Sequence, residues 1–152
     1  FTRKKEDINL TKEYIAIVNN IIKVDHDVIT KKIARKKDSI ITREINEQEG
    51  EFAKTEFFVL KRNYNKNYTV VKLILHTGRT HQIRVHMLSI GHILLGDDLY
   101  AKEYNIKNIS KYITRQALHA YKVSFNHPIT NKKIEIIAKI PEDMNKLIKN
   151  DS

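Results

Sequence analysis

The sequence predicts an α+β domain, a mostly antiparallel mixed sheet with two helices packed on it. Two features lead there. Stretches that alternate apolar and polar residues come in neighbouring pairs joined by short polar connectors, the pattern of antiparallel hairpins. Helical spacing of apolar residues appears only twice, once in mid-chain and once near the end. The 152 residues also suit one domain, which is commonly about 100–200 residues long.

Glu13 to Val18 (EYIAIV) is short, apolar on both faces and rich in branched residues, so it is predicted to be a buried central strand with Tyr14, Ala16 and Val18 on one face. From Asn19 to Gly50 apolar pairs are set among the basic stretch Lys31 to Lys37, which predicts a peripheral hairpin of short strands. Phe52 to Lys61 and Tyr68 to His76 alternate and form a second hairpin around the polar connector Arg62 to Asn67. The period then changes. Thr80 reads as an N-cap, Ile83, Met87 and Ile90 follow at helical spacing, and Gly91 reads as the residue just past the end. A helix of about three turns is expected. Ala101 to Thr114 reads as an irregular surface excursion. Ala117 to Phe125 and Lys133 to Lys139 alternate again around the turn His127 to Asn131, and Pro141 is placed at the first position of a last helix reaching about Lys149.

Composition narrows the function. The chain has no cysteine, which excludes disulfides, thiolate zinc sites and a cysteine nucleophile. No apolar run approaches the roughly 18–20 residues that cross a bilayer, and the N-terminus FTRKKEDINL lacks the apolar core of a signal peptide. A cytoplasmic protein is expected. The first residue, Phe1, is not Met, which suggests processing or a piece of a longer protein. The net charge of +10 favours a polyanionic partner. Most of these cations are Lys in a chain also rich in Ile and Asn, so codon bias accounts equally well for the charge. The seven Arg are more telling: Arg3, Arg35, Arg43, Arg62, Arg79, Arg84 and Arg115.

Chemistry concentrates in HTGRTHQIRVH, His76 to His86, where a strand feeds a helix. Free backbone N–H groups at such a junction suit phosphate or carboxylate. Arg84 falls in the first turn, where a cation opposes the macrodipole by ~0.3–1 kcal/mol, so it calls for a compensating anion. That anion is either a carboxylate of this chain or a ligand. Spacing argues against metal: His81 and His86 are five apart, and there is no HExxH string. No serine sits in a GxSxG context, and no GxxxxGK string occurs.

The run from Leu75 to His86 (LHTGRTHQIRVH), with Ile90-Gly91-His92 and Leu95-Gly96-Asp97, resembles the signature of the RluA-type RNA pseudouridine synthases. Lys12, Tyr14, Ala16 and Val18 fit that family's KxYxAxV strand, RQALHA (Arg115 to Ala120) its late strand, and His127-Pro128 with Pro141-Glu142 its end. The resemblance implies an enzyme that flips a uridine out of structured RNA, most simply ribosomal RNA, detaches the base, turns it and rejoins it through carbon. It implies no metal, no cofactor, no membrane and no obligate protein partner.

By the same resemblance Tyr14 is the tyrosine that stacks on the base, and Arg84 the arginine that pairs with the catalytic aspartate. Ile83 would line the base pocket. Lys12, Arg79, Thr80, His81 and Arg115 would contact substrate or RNA. The family's aspartate belongs to an HRLDxxTSG stretch preceding the tyrosine strand, and no such string occurs here; only Asp7 precedes Tyr14, in the unsuitable context KKEDINL. Residues 1–152 are therefore expected to be the C-terminal portion of a pseudouridine synthase catalytic domain whose aspartate lies before residue 1, inactive alone. The alternative is an RNA-binding module that has lost catalysis. Arg84 should then have no strong carboxylate partner in this chain and its loss should cost little stability, while its tip and that of Tyr14 converge on one cleft. Arg84 and Tyr14 on opposite faces of the domain, or Arg84 buried in a salt bridge with a carboxylate of this chain, would sink the site assignment.

Overall fold

A computed structural model describes residues 9–150. Its centre is a six-stranded sheet in the order β2-β5-β6-β1-β7-β8, comprising β1 (Thr11–Asn19), β2 (His26–Ile29), β5 (Thr55–Asn63), β6 (Tyr68–Leu75), β7 (Leu118–Asn126) and β8 (Lys133–Ile137). Each of its pairings is antiparallel. The α+β class holds, with the expected central position of the tyrosine strand and both expected hairpins flanking it. A separate hairpin, β3 (Ile33–Arg35) with β4 (Arg43–Ile45), forms the peripheral element that the short apolar pairs predict.

Among the described residues three helices are present rather than two: α1 (Gln82–Ser89), α2 (Asp98–Glu103) and α3 (Glu142–Lys149). Alternation in β1 sorts its side chains to two faces. Ala16 and Val18 join Phe57, Val71 and Leu73 under Ile83 and Met87 of α1. Ile15 and Ile17 join Tyr68 and Val70 under Met144 and Leu147 of α3. A third cluster packs Val85, on another side of α1, against Ile33 of the small hairpin and Tyr100 and Ala101 of α2. Two sides of α1 are thus covered, which a simple amphipathic stripe would not show.

Local chemistry explains where sequence expectations and structure part. The stretch expected to be irregular from Ala101 instead begins inside α2, whose start is set by Asp97, its side chain accepting from the Tyr100 N–H. Thr80 does not cap α1. His81 occupies that position in a left-handed conformation (φ 57°) with no side-chain cap bond. Gln82 has taken over the loop's donors, and α1 is eight residues long, just over two turns. Pro141 stands at the N-cap of α3, one residue earlier than expected, with Glu142 and Asp143 complementing the helix dipole. Gly91 does end α1: at φ 88° its N–H bonds to Leu88 O while the His92 N–H reaches Met87 O. Gly96 is required differently, since φ is 75° and a Cβ there would lie 2.0 Å from the carbonyl oxygen of Arg115.

Candidate active site

The loop from β6 to α1 is held from below by buried polar side chains. Gln82, 2% exposed, accepts from the Thr77 hydroxyl (2.8 Å) and the Arg79 N–H (3.0 Å), and its amide donates to Lys54 O (3.0 Å) and Thr55 Oγ1 (2.9 Å). One turn on, His86 Nε2 donates to Lys31 O (2.8 Å), so its Nδ1 accepts from the Thr55 hydroxyl (2.8 Å). Burial holds the His86 imidazole below its ordinary pKa, which fits that neutral tautomer. Sequence reasoning missed both residues. Their signal was two polar side chains four apart, on the side of the helix that turns to the sheet.

Arg84 emerges from the first turn of α1 and meets Asp97, which precedes α2. Nε donates to Oδ2 at 2.9 Å and Nη2 to Oδ1 at 2.7 Å, a bidentate pair in which the aspartate side chain is fully buried and the arginine 13% exposed. This corrects the expectation that Arg84 lacks a strong carboxylate partner in this chain, and it counts against the site assignment to the extent that Arg84 is covered: the aspartate is buried, the arginine only partly so. The anion that its helix position calls for is Asp97, so the dipole argument no longer speaks for an outside aspartate. The sequence did carry a signal: Asp97 follows the apolar run Ile93-Leu94-Leu95-Gly96, where an acidic side chain is buried only if paired.

Nη1 of Arg84 donates to His81 Nε2 at 3.2 Å. Because a guanidinium only donates, that ring nitrogen carries no proton, and His81 Nδ1–H donates to the Tyr100 hydroxyl at 2.7 Å. The Tyr100 oxygen also accepts from the Arg43 N–H at 2.9 Å, tying the chain of contacts to β4. Burial first, then the Arg84 charge, keeps the His81 pKa below its usual value, while burial raises that of Tyr100. Asp97, Arg84, His81 and Tyr100 form one connected set. Within it Arg84 uses three of the five N–H groups of a guanidinium, leaving two for a second anion.

Tyr14, Ile83 and Arg84 line one cleft of about 270 Å³, with Arg79, His81 and Leu118 among its other walls. Tyr14 and Arg84 thus border the same cleft rather than opposite faces of the domain. Tyr14 lies at a register shift between β1 and β7, where an extra residue on β7 re-aims the neighbouring side chains. Lys12 shares an adjoining cleft of about 420 Å³ with Tyr14 and Arg79, and Thr80 lines a third of about 350 Å³, again with Arg79. Arg115 is not brought to the Tyr14 cleft. Its guanidinium grips Asp143 at 2.8 Å through both Nε and Nη2, and its neighbour Gln116 lines the cleft instead. Asp7 lies outside the described residues. Among the described residues no cluster of three or more His, Asp or Glu is placed to hold a metal ion, and no helix is long and apolar enough to cross a membrane.

The family described as RNA pseudouridylate synthase matches residues 1–89. An uncharacterized RNA pseudouridine synthase of Bacillus subtilis, YjbO, is 40% identical over 141 residues, covering 93% of this chain and 47% of that protein. The ribosomal large subunit pseudouridine synthase D of Zymomonas mobilis is 35% identical over 150 residues, covering 94% of this chain and 45% of its own length. Among solved structures, human RNA pseudouridylate synthase domain containing 1 superposes with a TM-score of 0.72 at 28% identity, over 89% of this chain and 56% of that one. The chain spans about half the length of the curated relatives it matches.

Proposed function

Since the chain belongs to the RNA pseudouridylate synthase family, we propose that it is the C-terminal portion of a catalytic domain that isomerises uridine to pseudouridine in structured RNA of the cytoplasm, with ribosomal RNA as substrate. The observation that carries this reading is the convergence of Tyr14, Ile83 and Arg84 on one cleft, with Arg84 aimed by a buried aspartate and two of its N–H groups still unspent. A flipped base stacks on the Tyr14 ring between the apolar side chains of Ile83 and Leu118. The free N–H groups of Arg84 receive the nucleophilic carboxylate, supplied from before residue 1. Asp97 then has the part of a positioning residue: it fixes the plane of the guanidinium so that the second carboxylate meets a preorganised donor pair.

In that chemistry the carboxylate attacks the sugar carbon and displaces uracil, the base turns, a ring carbon of the base displaces the carboxylate from the sugar, and the proton lost from that ring carbon goes to the freed ring nitrogen. We assign Tyr14 to moving it. Lys12, Arg79, Thr80 and His81 line the approaches, where RNA phosphates would pass, and Arg115 steadies α3 rather than the base.

The test uses the open reading frame that encodes this chain, expressed whole, and a ribosomal RNA transcript, with pseudouridine mapped on the product. Pseudouridine should form, Arg84→Ala and Tyr14→Phe should remove it, and the chain of residues 1–152 alone should make none, because arginine and tyrosine cannot replace a carboxylate nucleophile. Pseudouridine made by the chain alone would refute the assignment of the missing aspartate. Turnover by the whole protein unaffected by Arg84→Ala would refute the site.

A further inference from the structure

Gly78 has no structural reason to be glycine. It is absent from the residues with positive φ, and among the described residues a Cβ built on it meets nothing within 4 Å. A position that neither backbone strain nor packing restricts, yet which carries no side chain, leaves room beside the main chain. That room lies on a saddle. Gly78 and Arg79 line both the cleft that holds Lys12 and Tyr14 and the one between the 78–80 loop and the β3–β4 hairpin.

The far cleft is charged one way. Arg35 and Arg43 stand directly opposite each other in the hairpin register, an arrangement of like charges that destabilises a strand pair. Both line the cleft together with Arg79, and the carboxylate there is Glu51, already bound by Arg79 Nη1 at 3.0 Å. Arg43 spends Nη1 on the carbonyls of residues 40–42, which fixes the side chain without neutralising it. Among the described residues three cations against one anion leave the lining unbalanced. The rest of the wall is Ala34, Thr80, the bare main chain of Gly78 and one apolar side chain, Ile33, which is itself buried, so the charged groups dominate and the cleft suits a hydrated anion.

We propose that this cleft is a phosphodiester subsite: an RNA strand whose base occupies the Tyr14 cleft crosses the saddle at Gly78 and lays a backbone phosphate among Arg35, Arg43 and Arg79. The subsite rests on the reading of the Tyr14 cleft given above, and adds the β3–β4 hairpin to the RNA surface. Gly78 serves it by letting the strand pass close to the protein main chain.

Fluorescence anisotropy with labelled oligouridine tests it, on the 152-residue chain and its variants Arg35→Ala, Gly78→Val, Tyr14→Ala and, as a charge control, Lys107→Ala, whose lysine lines a separate cleft beside α2. Arg35→Ala should weaken binding roughly fivefold at low salt and reduce the log–log salt slope by ~0.7, the value of one phosphate on a single strand. Gly78→Val should weaken binding with no change in melting temperature and no change in slope. Lys107→Ala should do neither. Arg35→Ala and Gly78→Val both indistinguishable from Lys107→Ala would overturn the subsite, whatever Tyr14→Ala does. Loss on Arg35→Ala and Gly78→Val with none on Tyr14→Ala would keep the subsite and overturn the base reading. Inorganic phosphate competing as well as oligouridine would reassign the cleft to a free ion and overturn the strand path.

Discussion

Replacing Arg84 by alanine should destabilise this domain substantially, the opposite of what its family role alone suggests. The Asp97 side chain is fully buried and takes two charge-assisted bonds, of 2.9 and 2.7 Å, from Arg84. Removing the arginine strands a carboxylate where water has little access. Breaking a buried pair from one side costs about 3–5 kcal/mol. Arg84 is 13% exposed and borders an open cleft, so solvent can enter the vacated space and the lower figure, ~3 kcal/mol, is the better expectation. For a domain of this size that corresponds to a fall in Tm of about 6–12 °C. Urea denaturation near neutral pH is the assay. The cycle of Arg84→Gln, Asp97→Asn and the double variant should give a coupling above about 1 kcal/mol. Arg84→Ala within ~0.5 kcal/mol of the parent would refute the claim that this pair is structural as well as functional.

Other outcomes follow from the same geometry. Burial holds His81 and His86 below the ordinary histidine pKa, so their contribution to stability is present above the unfolded value of ~6.5 and is lost as pH falls through the folded values. The urea midpoint should therefore drop between about pH 7.5 and 5, above the range in which carboxylates such as Glu56 titrate, and His81→Gln should flatten part of that drop; an unchanged midpoint would count against both neutral tautomers. Gly96→Ala should cost at least ~2 kcal/mol, combining left-handed backbone strain with a clash against the Arg115 carbonyl, and a thermal melt within a degree or so of the parent would show that the α2 entry is more plastic than the close approach implies. RNA binding by the chain should weaken linearly on a log–log salt plot, with a slope of ~−0.7 for each phosphate contacted; an affinity indifferent to salt would remove RNA as the partner.

The main sheet was legible because its cause is local. Alternation in EYIAIV and in the Tyr68 to His76 stretch fixes which side chains face α1 and which face α3, and a slip of one residue would exchange the two faces. Gly91 could be read for a similar reason: a helix that must stop needs a residue at positive φ, and glycine adopts it without strain. Likewise the dense run from His76 to His86 marked the site, since that many cations and imidazoles at one strand-to-helix junction are costly unless they bind something.

Tertiary structure decided what those groups bind. The partner of Arg84 is Asp97, 13 residues away, and the register of Gly96 against the Arg115 backbone helps bring it there. Spacing along the sequence carries no trace of that approach. The N-cap of α1 falls on His81 rather than Thr80, and the next residue, Gln82, is held in the core by a carbonyl of residue 54 and a hydroxyl of residue 55 from a distant strand region. Arg115 turns to Asp143 and away from the cleft for the same kind of reason. Periodicity records which face of an element meets the core, a property of each segment alone. Which carboxylate meets which guanidinium depends on where segments far apart in the chain come to rest, and only the packed chain fixes that.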